Sequence, residues 1–229
     1  MSKFTTIGRK VLMAFSGFFL MFFLLQHLTI NMLSVVSPEM FNSVSHFMGY
    51  NPLVQFALQP VLIFAVVFHF VMGFYLELKN NNARMVKYAA NNPGKNSTWM
   101  SRNMVYSGLV VLAFLVVHFY DFWIHEMNYK YVSAMAEDAT RYHHELVEKF
   151  QDPIKVVLYV LSFVFLALHL LHGFQSSFQT VGFNNKYTPL LKKLGIAFGI
   201  GVPALFALIA IYHFVNPTVF LELANPPIH

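Results

Sequence analysis

The chain has 229 residues, of which 57% are hydrophobic and only 11% are charged, with a formal net charge of +5 and no cysteine. Soluble domains carry about 25% charged residues, because a small globule has a large surface to cover with polar groups. The composition therefore excludes a soluble enzyme, a disordered linker and a nucleic-acid binder. The lack of cysteine excludes a disulfide, a thiol nucleophile and a cysteine-ligated iron–sulfur cluster in this chain.

Five apolar stretches are long enough to cross the hydrocarbon core of a bilayer, which takes roughly 20 residues of helix. They run approximately over residues 11–36, 53–78, 104–124, 154–178 and 194–215. The first is too long for a cleavable signal and carries polar residues such as Gln26. We predict an all-α fold, with residues 1–229 forming a single transmembrane domain of five helices.

The distribution of basic residues predicts the orientation of these spans. With the N-terminus inside, only Lys130, Arg141, Lys149 and Lys155 of the 15 Lys and Arg residues lie outside. The positive-inside rule therefore favours a cytoplasmic N-terminus and an external C-terminus. The outer segment 125–152 is long and polar, and we predict a short surface helix within it.

Six histidines lie inside the predicted spans, where ionisable residues are functional candidates by default. At about 1.5 Å per residue, His27 and His118 lie roughly 25 Å and 24 Å from the inner ends of their helices. His69 lies roughly 12 Å from the inner edge, and His169 lies roughly 21 Å from the outer edge. Four helices thus carry two pairs, named here the outer pair (His27 and His118) and the inner pair (His69 and His169). A single buried histidine is more simply explained by a hydrogen bond between helices.

Two internal repeats accompany the pairs. A Ser-Gly dipeptide precedes each outer-pair histidine by 11 residues, and a Gly-Phe dipeptide follows each inner-pair histidine by four. Both spacings place the small residue and the histidine on one helix face. The small residues concerned are Ser16, Gly17, Ser107, Gly108, Gly73 and Gly173. Helix packing alone explains the glycines but not the histidine in every copy. We predict that the Ser-Gly dipeptides, which lie at the inner depth, make room for a prosthetic group at the inner pair, while Gly73 and Gly173 lie inward of the histidines on their own helices.

Two imidazoles on facing helices are a typical ligand set for six-coordinate haem iron. We therefore predict two haem b groups within the first four helices. A zinc site needs three or four ligands at one depth, and a proton relay needs acids that the spans almost lack. His172 is a rival to His169, but only His169 has a glycine four residues later. His172 is then a propionate partner, a hydrogen-bond partner or a packing residue, and His213 is structural.

The rest of a redox chain must lie on other subunits, since no GxGxxG, P-loop or cysteine cluster is present. The basic inner face can dock a soluble subunit, or it can serve only to set the orientation. The membrane redox partner expected for such a haem pair is a quinone. Polar candidates for its site near the outer pair are Gln26, Asn31, Asn42, His46, Gln59, Tyr120 and Asp121. Each of them, taken alone, is also typical of a helix end or a loop.

Five segments carry a family resemblance: LLQHLTIN (24–31), FNSVSHFMG (41–49), HFVMGFYLELKNN (69–81), the Ser-Gly and histidine of the third span, and HLLHGFQSSFQTVG (169–182). They resemble the cytochrome b membrane-anchor subunit of succinate dehydrogenase/fumarate reductase, in its five-helix, two-haem form. The resemblance extends over nearly the whole chain up to the fifth helix. It implies that the outer pair ligates the outer haem and the inner pair the inner haem. The family's glycines after the fourth-helix ligand fall at Gly173 and Gly182.

The resemblance also implies a complex in the bacterial cytoplasmic membrane, with a flavoprotein and an iron–sulfur subunit docked inside. This chain would pass electrons between the iron–sulfur subunit and menaquinone, while succinate and fumarate react on the flavoprotein. A dimer of the heterotrimer is left open. Two family features are absent: an acidic residue after the first helix, where His46 stands, and a transmembrane glutamate, where Ala167 stands. The glutamate-dependent proton route is therefore expected to be absent.

Two alternatives remain open at this point. The first is a di-haem cytochrome b of another membrane dehydrogenase, such as a hydrogenase or a formate dehydrogenase. The second is a transporter or scaffold without haem, which would keep the spans and lose the iron.

Overall fold

The computed structural model describes residues 5–83, 104–183 and 185–216, and all regular structure in these ranges is helical. Within these ranges five helices are long and apolar enough to cross a membrane, in agreement with the five predicted spans. The helices are α1 (Thr6–Val36), α2 (Pro38–Tyr50), α3 (Gln59–Ala83), α4 (Met104–Val132), α5 (Arg141–Lys149), α6 (Pro153–Thr180) and α7 (Thr188–Val215). The basic residues of the predicted inner loop, Arg84 to Arg102, lie outside the described ranges.

The helix boundaries follow ordinary capping chemistry. Thr5 accepts a hydrogen bond from the backbone N–H of Gly8 at the start of α1. Ser37 follows the end of α1 and caps α2, whose first residue is Pro38. Asp152 caps α6 in the same way, ahead of Pro153. Side-chain acceptors at the N-cap and proline at the first position both favour a helix start, so these junctions are encoded locally.

Helix α4 extends further than the sequence predicts. The apolar stretch ends near Ile124, but the helix continues to Val132 through π-helical turns at Phe119–Ile124 and Asn128–Val132. The extension carries polar residues that bind other elements outside the apolar bundle, which the hydropathy pattern does not register. The predicted surface helix in segment 125–152 is present as α5.

The main buried core lies where α1, α2, α5, α6 and α7 meet. Its members are Leu28, Phe41, Leu146, Phe150, Val156, Tyr159, Phe163, Val202, Phe206, Ile209 and Ala210. Large apolar side chains are exposed on the outside of the bundle, for example Phe22, Phe56 and Phe64. In water such a surface would drive aggregation. In a bilayer the same side chains would contact lipid.

Helices α6 and α7 approach closely at two glycines one turn apart on α7. A Cβ atom on Gly199 would lie 3.0 Å from the backbone nitrogen of Leu171. A Cβ atom on Gly195 would lie 2.8 Å from Cδ1 of Phe174. Small residues at this spacing allow two membrane helices to pack backbone to backbone.

We expect Gly199→Val to destabilise the protein by about 1–3 kcal/mol, the usual cost of overpacking a tight contact. The matched control is Gly201→Val, because a Cβ at Gly201 meets nothing within 4 Å. The measurement is the unfolding midpoint of both purified variants in detergent. Equal midpoints for the two variants would contradict the close approach of α6 and α7.

Candidate functional site

The inner pair brings together helices α3 and α6. The ring centres of His69 and His169 lie 6.3 Å apart, with an angle of 71° between the ring planes. His169 also faces α4, since a Cβ on Gly108 would lie 3.5 Å from its Cε1 atom. It is thus His169 that the structure places against His69 and Gly108. The half-buried His172 lies one turn further along α6.

Each inner-pair histidine has a serine hydroxyl beside its Nδ1 atom, supplied by a neighbouring helix. Ser16 Oγ of α1 lies 2.9 Å from Nδ1 of His69. Ser107 Oγ of α4 lies 3.5 Å from Nδ1 of His169. The Ser-Gly repeat, which the sequence placed on the same helices as the outer pair, therefore contacts the inner pair across the bundle.

The glycines of the two repeats have different neighbours. A Cβ on Gly17 would lie 3.7 Å from Cε1 of His69 and 3.1 Å from Ser177 Oγ. Gly73 faces the methyl group of Met13, and Gly173 faces that of Met104. Both methionines stand three residues before a Ser-Gly dipeptide. The full repeat is therefore Met-x-x-Ser-Gly, and the methionine contacts are the part that the sequence analysis missed.

The outer pair brings together α1 and α4. The ring centres of His27 and His118 lie 5.7 Å apart, and the rings are nearly perpendicular. Aromatic side chains surround both: Phe23 and Phe206 lie beside His27, and Phe114, Phe119, Phe122 and Tyr159 lie beside His118. The outer pair therefore lies in aromatic, largely apolar surroundings.

Each pair offers two imidazoles supplied by two facing helices. Two imidazoles are a ligand set that haem iron accepts, so the residues present fit that group by their chemistry.

The structure does not gather the predicted quinone-site residues into one group. Asp121 is buried and forms an ion pair with Lys155, at 2.6 Å between Oδ1 and Nζ, while accepting a hydrogen bond from the Tyr159 hydroxyl. Asn31 donates to the backbone oxygen of His27 at 2.9 Å. Gln59, half-buried, begins α3. The side chains of Asp121 and Asn31 therefore already have hydrogen-bond or ion-pair partners within the protein.

The remaining predicted polar residues also differ in their surroundings. His46 Nε2 lies 2.8 Å from a carboxylate oxygen of Glu137, and its buried Nδ1 has no hydrogen-bond partner among the described residues. Asn42 accepts a hydrogen bond from the backbone N–H of His143. Gln26 and Tyr120 are exposed on the outside of the bundle. Of the seven, His46 keeps an unsatisfied polar atom.

A group of charged side chains beyond the outer pair, named here the outer cluster, was not predicted. It consists of Glu126 and Lys130 on α4 and Arg141 and Glu145 on α5, joined by ion pairs. The side chains of Lys130 and Arg141 are only 6% and 7% exposed. Its sequence signal was the polar stretch after Ile124, which the hydropathy pattern assigned to a region beyond the span.

The charges of the outer cluster shift the pKa values of two residues of α5, Arg141 and Tyr142. Burial opposes the charge on Arg141, but hydrogen bonds to Glu126 and Glu145 outweigh burial and raise the pKa of the guanidinium above its usual value. Burial and the nearby Glu126 carboxylate raise the pKa of the Tyr142 phenol. The ion pair between Arg141 and Glu126 therefore fastens α5 to α4.

His213 of α7 contacts α1 and α5. Its Nε2 atom lies 2.9 Å from Ser34 Oγ, and its ring centre lies 5.5 Å from that of His143. His143 Nε2 lies 3.0 Å from the backbone oxygen of Ser34. All three side chains are buried. Their contacts link helices α1, α5 and α7.

Comparison with known proteins gives one significant relative. The chain is 32% identical over 101 residues to the succinate dehydrogenase cytochrome b558 subunit of Bacillus subtilis (strain 168). The matched region covers 43% of this chain and 46% of the relative, so the chain spans less than half the length of the protein it matches. No protein-family model and no solved structure matches significantly. The distant homology confirms the resemblance predicted from the sequence.

Proposed function

We propose that this chain is the di-haem cytochrome b subunit of a succinate dehydrogenase/fumarate reductase complex, which it anchors in the membrane. It would pass electrons between the iron–sulfur subunit and menaquinone. The observation that carries the proposal is the arrangement of four helices into two histidine pairs. The distant homology to a succinate dehydrogenase cytochrome b subunit supports the choice of complex.

The residues proposed to hold the two haems are the inner and outer pairs. Haem supplies a one-electron redox centre when it is bound between two imidazoles. The protein contributes the ligands from four different helices, so the bundle fixes their separation. The apolar side chains around His27 and His118 would exclude water from the outer site. The relative's name as a cytochrome b558 supports haem of the b type.

The remaining parts of the proposal concern orientation and partners. With the N-terminus in the cytoplasm, the inner pair faces the side on which the flavoprotein and iron–sulfur subunits would dock. Succinate and fumarate would react on the flavoprotein, and this chain would serve only the quinone half-reaction. The location would be the bacterial cytoplasmic membrane. For the quinone site we retain His46. When its Nε2–H donates to Glu137, its unsatisfied Nδ1 atom can accept a hydrogen bond from the hydroxyl of a quinol.

We expect the purified chain to contain two haems b, measured as pyridine haemochrome per polypeptide. Two haems per chain would support the proposal, and none would refute it in favour of a transporter or scaffold. Affinity purification of the chain from its native membrane then separates the dehydrogenases. Co-purification of a flavoprotein with succinate dehydrogenase activity is expected, whereas a hydrogenase or formate dehydrogenase would show the alternative complex.

A further inference from the structure

The hydroxyl hydrogens of Ser16 and Ser107 are both engaged within their own helices. Ser16 donates to the backbone oxygen of Met13 at 2.8 Å, and Ser107 donates to that of Met104 at 2.9 Å. A hydroxyl has one hydrogen to donate and lone pairs with which to accept. Toward the neighbouring histidine, each serine oxygen can therefore act only as an acceptor.

This arrangement determines the tautomer of the inner pair. Because Ser16 accepts, the Nδ1 atom of His69 must carry the hydrogen. His169 faces two acceptors, Ser107 Oγ at 3.5 Å from Nδ1 and the backbone oxygen of Met104, which favour the same tautomer. The lone pair of each neutral ring then lies on Nε2, the nitrogen that remains available to a metal. Gly17 and Gly108 next to the serines lie beside the rings, since a Cβ there would be at ordinary contact distance from Cε1 of His69 and of His169.

The outer pair has no equivalent acceptor among the described residues. Nδ1 of His118 is buried and has no hydrogen-bond partner there. The side chain near the ring of His27 is the amide nitrogen of Asn31, at 3.4 and 3.5 Å from the ring nitrogens, and an amide nitrogen donates only. The two pairs thus have the same two imidazoles, but only the inner pair has serine acceptors beside the Nδ1 atoms.

We propose that Ser16 and Ser107 are positioning residues that fix the ligand tautomer of the inner pair and lower the reduction potential of the inner haem. An acceptor on Nδ1–H makes the imidazole a stronger electron donor through Nε2, which stabilises ferric iron over ferrous iron. The proposal rests on the proposed function, because it needs haem at the inner pair.

The test is a redox titration of the haem absorbance in the purified chain, combined with electron paramagnetic resonance of the ferric form. The inner component is identified as the one missing from His69→Leu. In Ser16→Ala it should shift to a higher potential by up to about tenfold in the ferric/ferrous equilibrium, or 59 mV for one electron. The outer component should not move. Ser16→Thr keeps the hydroxyl and should restore the original potential.

Ser34→Ala is the matched control. Ser34 makes the same bond to a backbone oxygen three residues earlier and the same contact with a histidine, but that histidine is His213. It should leave both haem potentials unchanged. An unshifted inner component in Ser16→Ala, a shift to lower potential, or an equal shift in Ser34→Ala would overturn the proposal.

Loss of the inner haem from Ser16→Ala but not from Ser16→Thr would also support the proposal, because threonine keeps the accepting hydroxyl and alanine lacks it. If both variants lose it, Ser107→Ala provides the same titration from the other side of the pair. Absence of any haem from the unmodified chain would instead refute the proposed function, so the two failures are distinguishable.

Discussion

Replacing His169 with leucine should lower the haem content of the purified chain from two per polypeptide to one, whereas His172→Leu should retain both. Of the two histidines, His169 is the one whose ring faces His69 and whose Nδ1 lies beside Ser107. Leucine has a similar size and cannot ligate iron, so the variant removes a ligand while keeping the helix packing. The measurement is pyridine haemochrome per polypeptide.

The companion variants make the result specific to the pair. His69→Leu should remove the same spectral component as His169→Leu, while His27→Leu and His118→Leu should both remove the other. His213→Leu controls for the loss of a buried histidine outside the pairs, and it should keep both haems. Retention of two haems in His169→Leu together with loss of one in His172→Leu would show that the haem ligand on α6 has been assigned wrongly.

The sequence was sufficient to predict features that depend on distance along a helix. Hydrophobic stretches of bilayer length predict the five spans, and a constant rise per residue predicts the depth of each histidine. The structure accordingly places His27 beside His118 and His69 beside His169. The short repeats also favoured His169 over His172, because spacing along one helix defines its faces.

Features that depend on contact between helices were not predictable in the same way. The serines of the repeat contact histidines on other helices, which requires knowing how each helix is rotated toward its neighbours. The outer cluster lies beyond the apolar stretch of α4, where hydropathy gives no signal. Asp121 was predicted as a quinone-site candidate only because it is polar and near the outer pair; its ion-pair partner Lys155 on α6 was not predictable from that pattern.

The ion pair between Asp121 and Lys155 joins α4 to α6, and its two members differ in exposure. The Asp121 side chain is 3% exposed and that of Lys155 is 29% exposed. If Asp121 is neutralised, the lysine can turn its amine toward water along its flexible chain. If Lys155 is removed, the carboxylate stays buried and retains, among the described residues, only the Tyr159 hydroxyl as a side-chain donor. Removal of the lysine should therefore be the more damaging change.

We expect Lys155→Met to destabilise the protein by about 3–5 kcal/mol, the usual cost of leaving a buried charge without its partner. Asp121→Asn keeps an acceptor for Tyr159 and should cost about 1–3 kcal/mol. The double variant removes both charges and should be more stable than Lys155→Met alone. The measurement is the free energy of unfolding of the three variants in detergent. If Asp121→Asn proves the most damaging of the three, the carboxylate has another cationic partner or reaches water, because its burial would then no longer set the order.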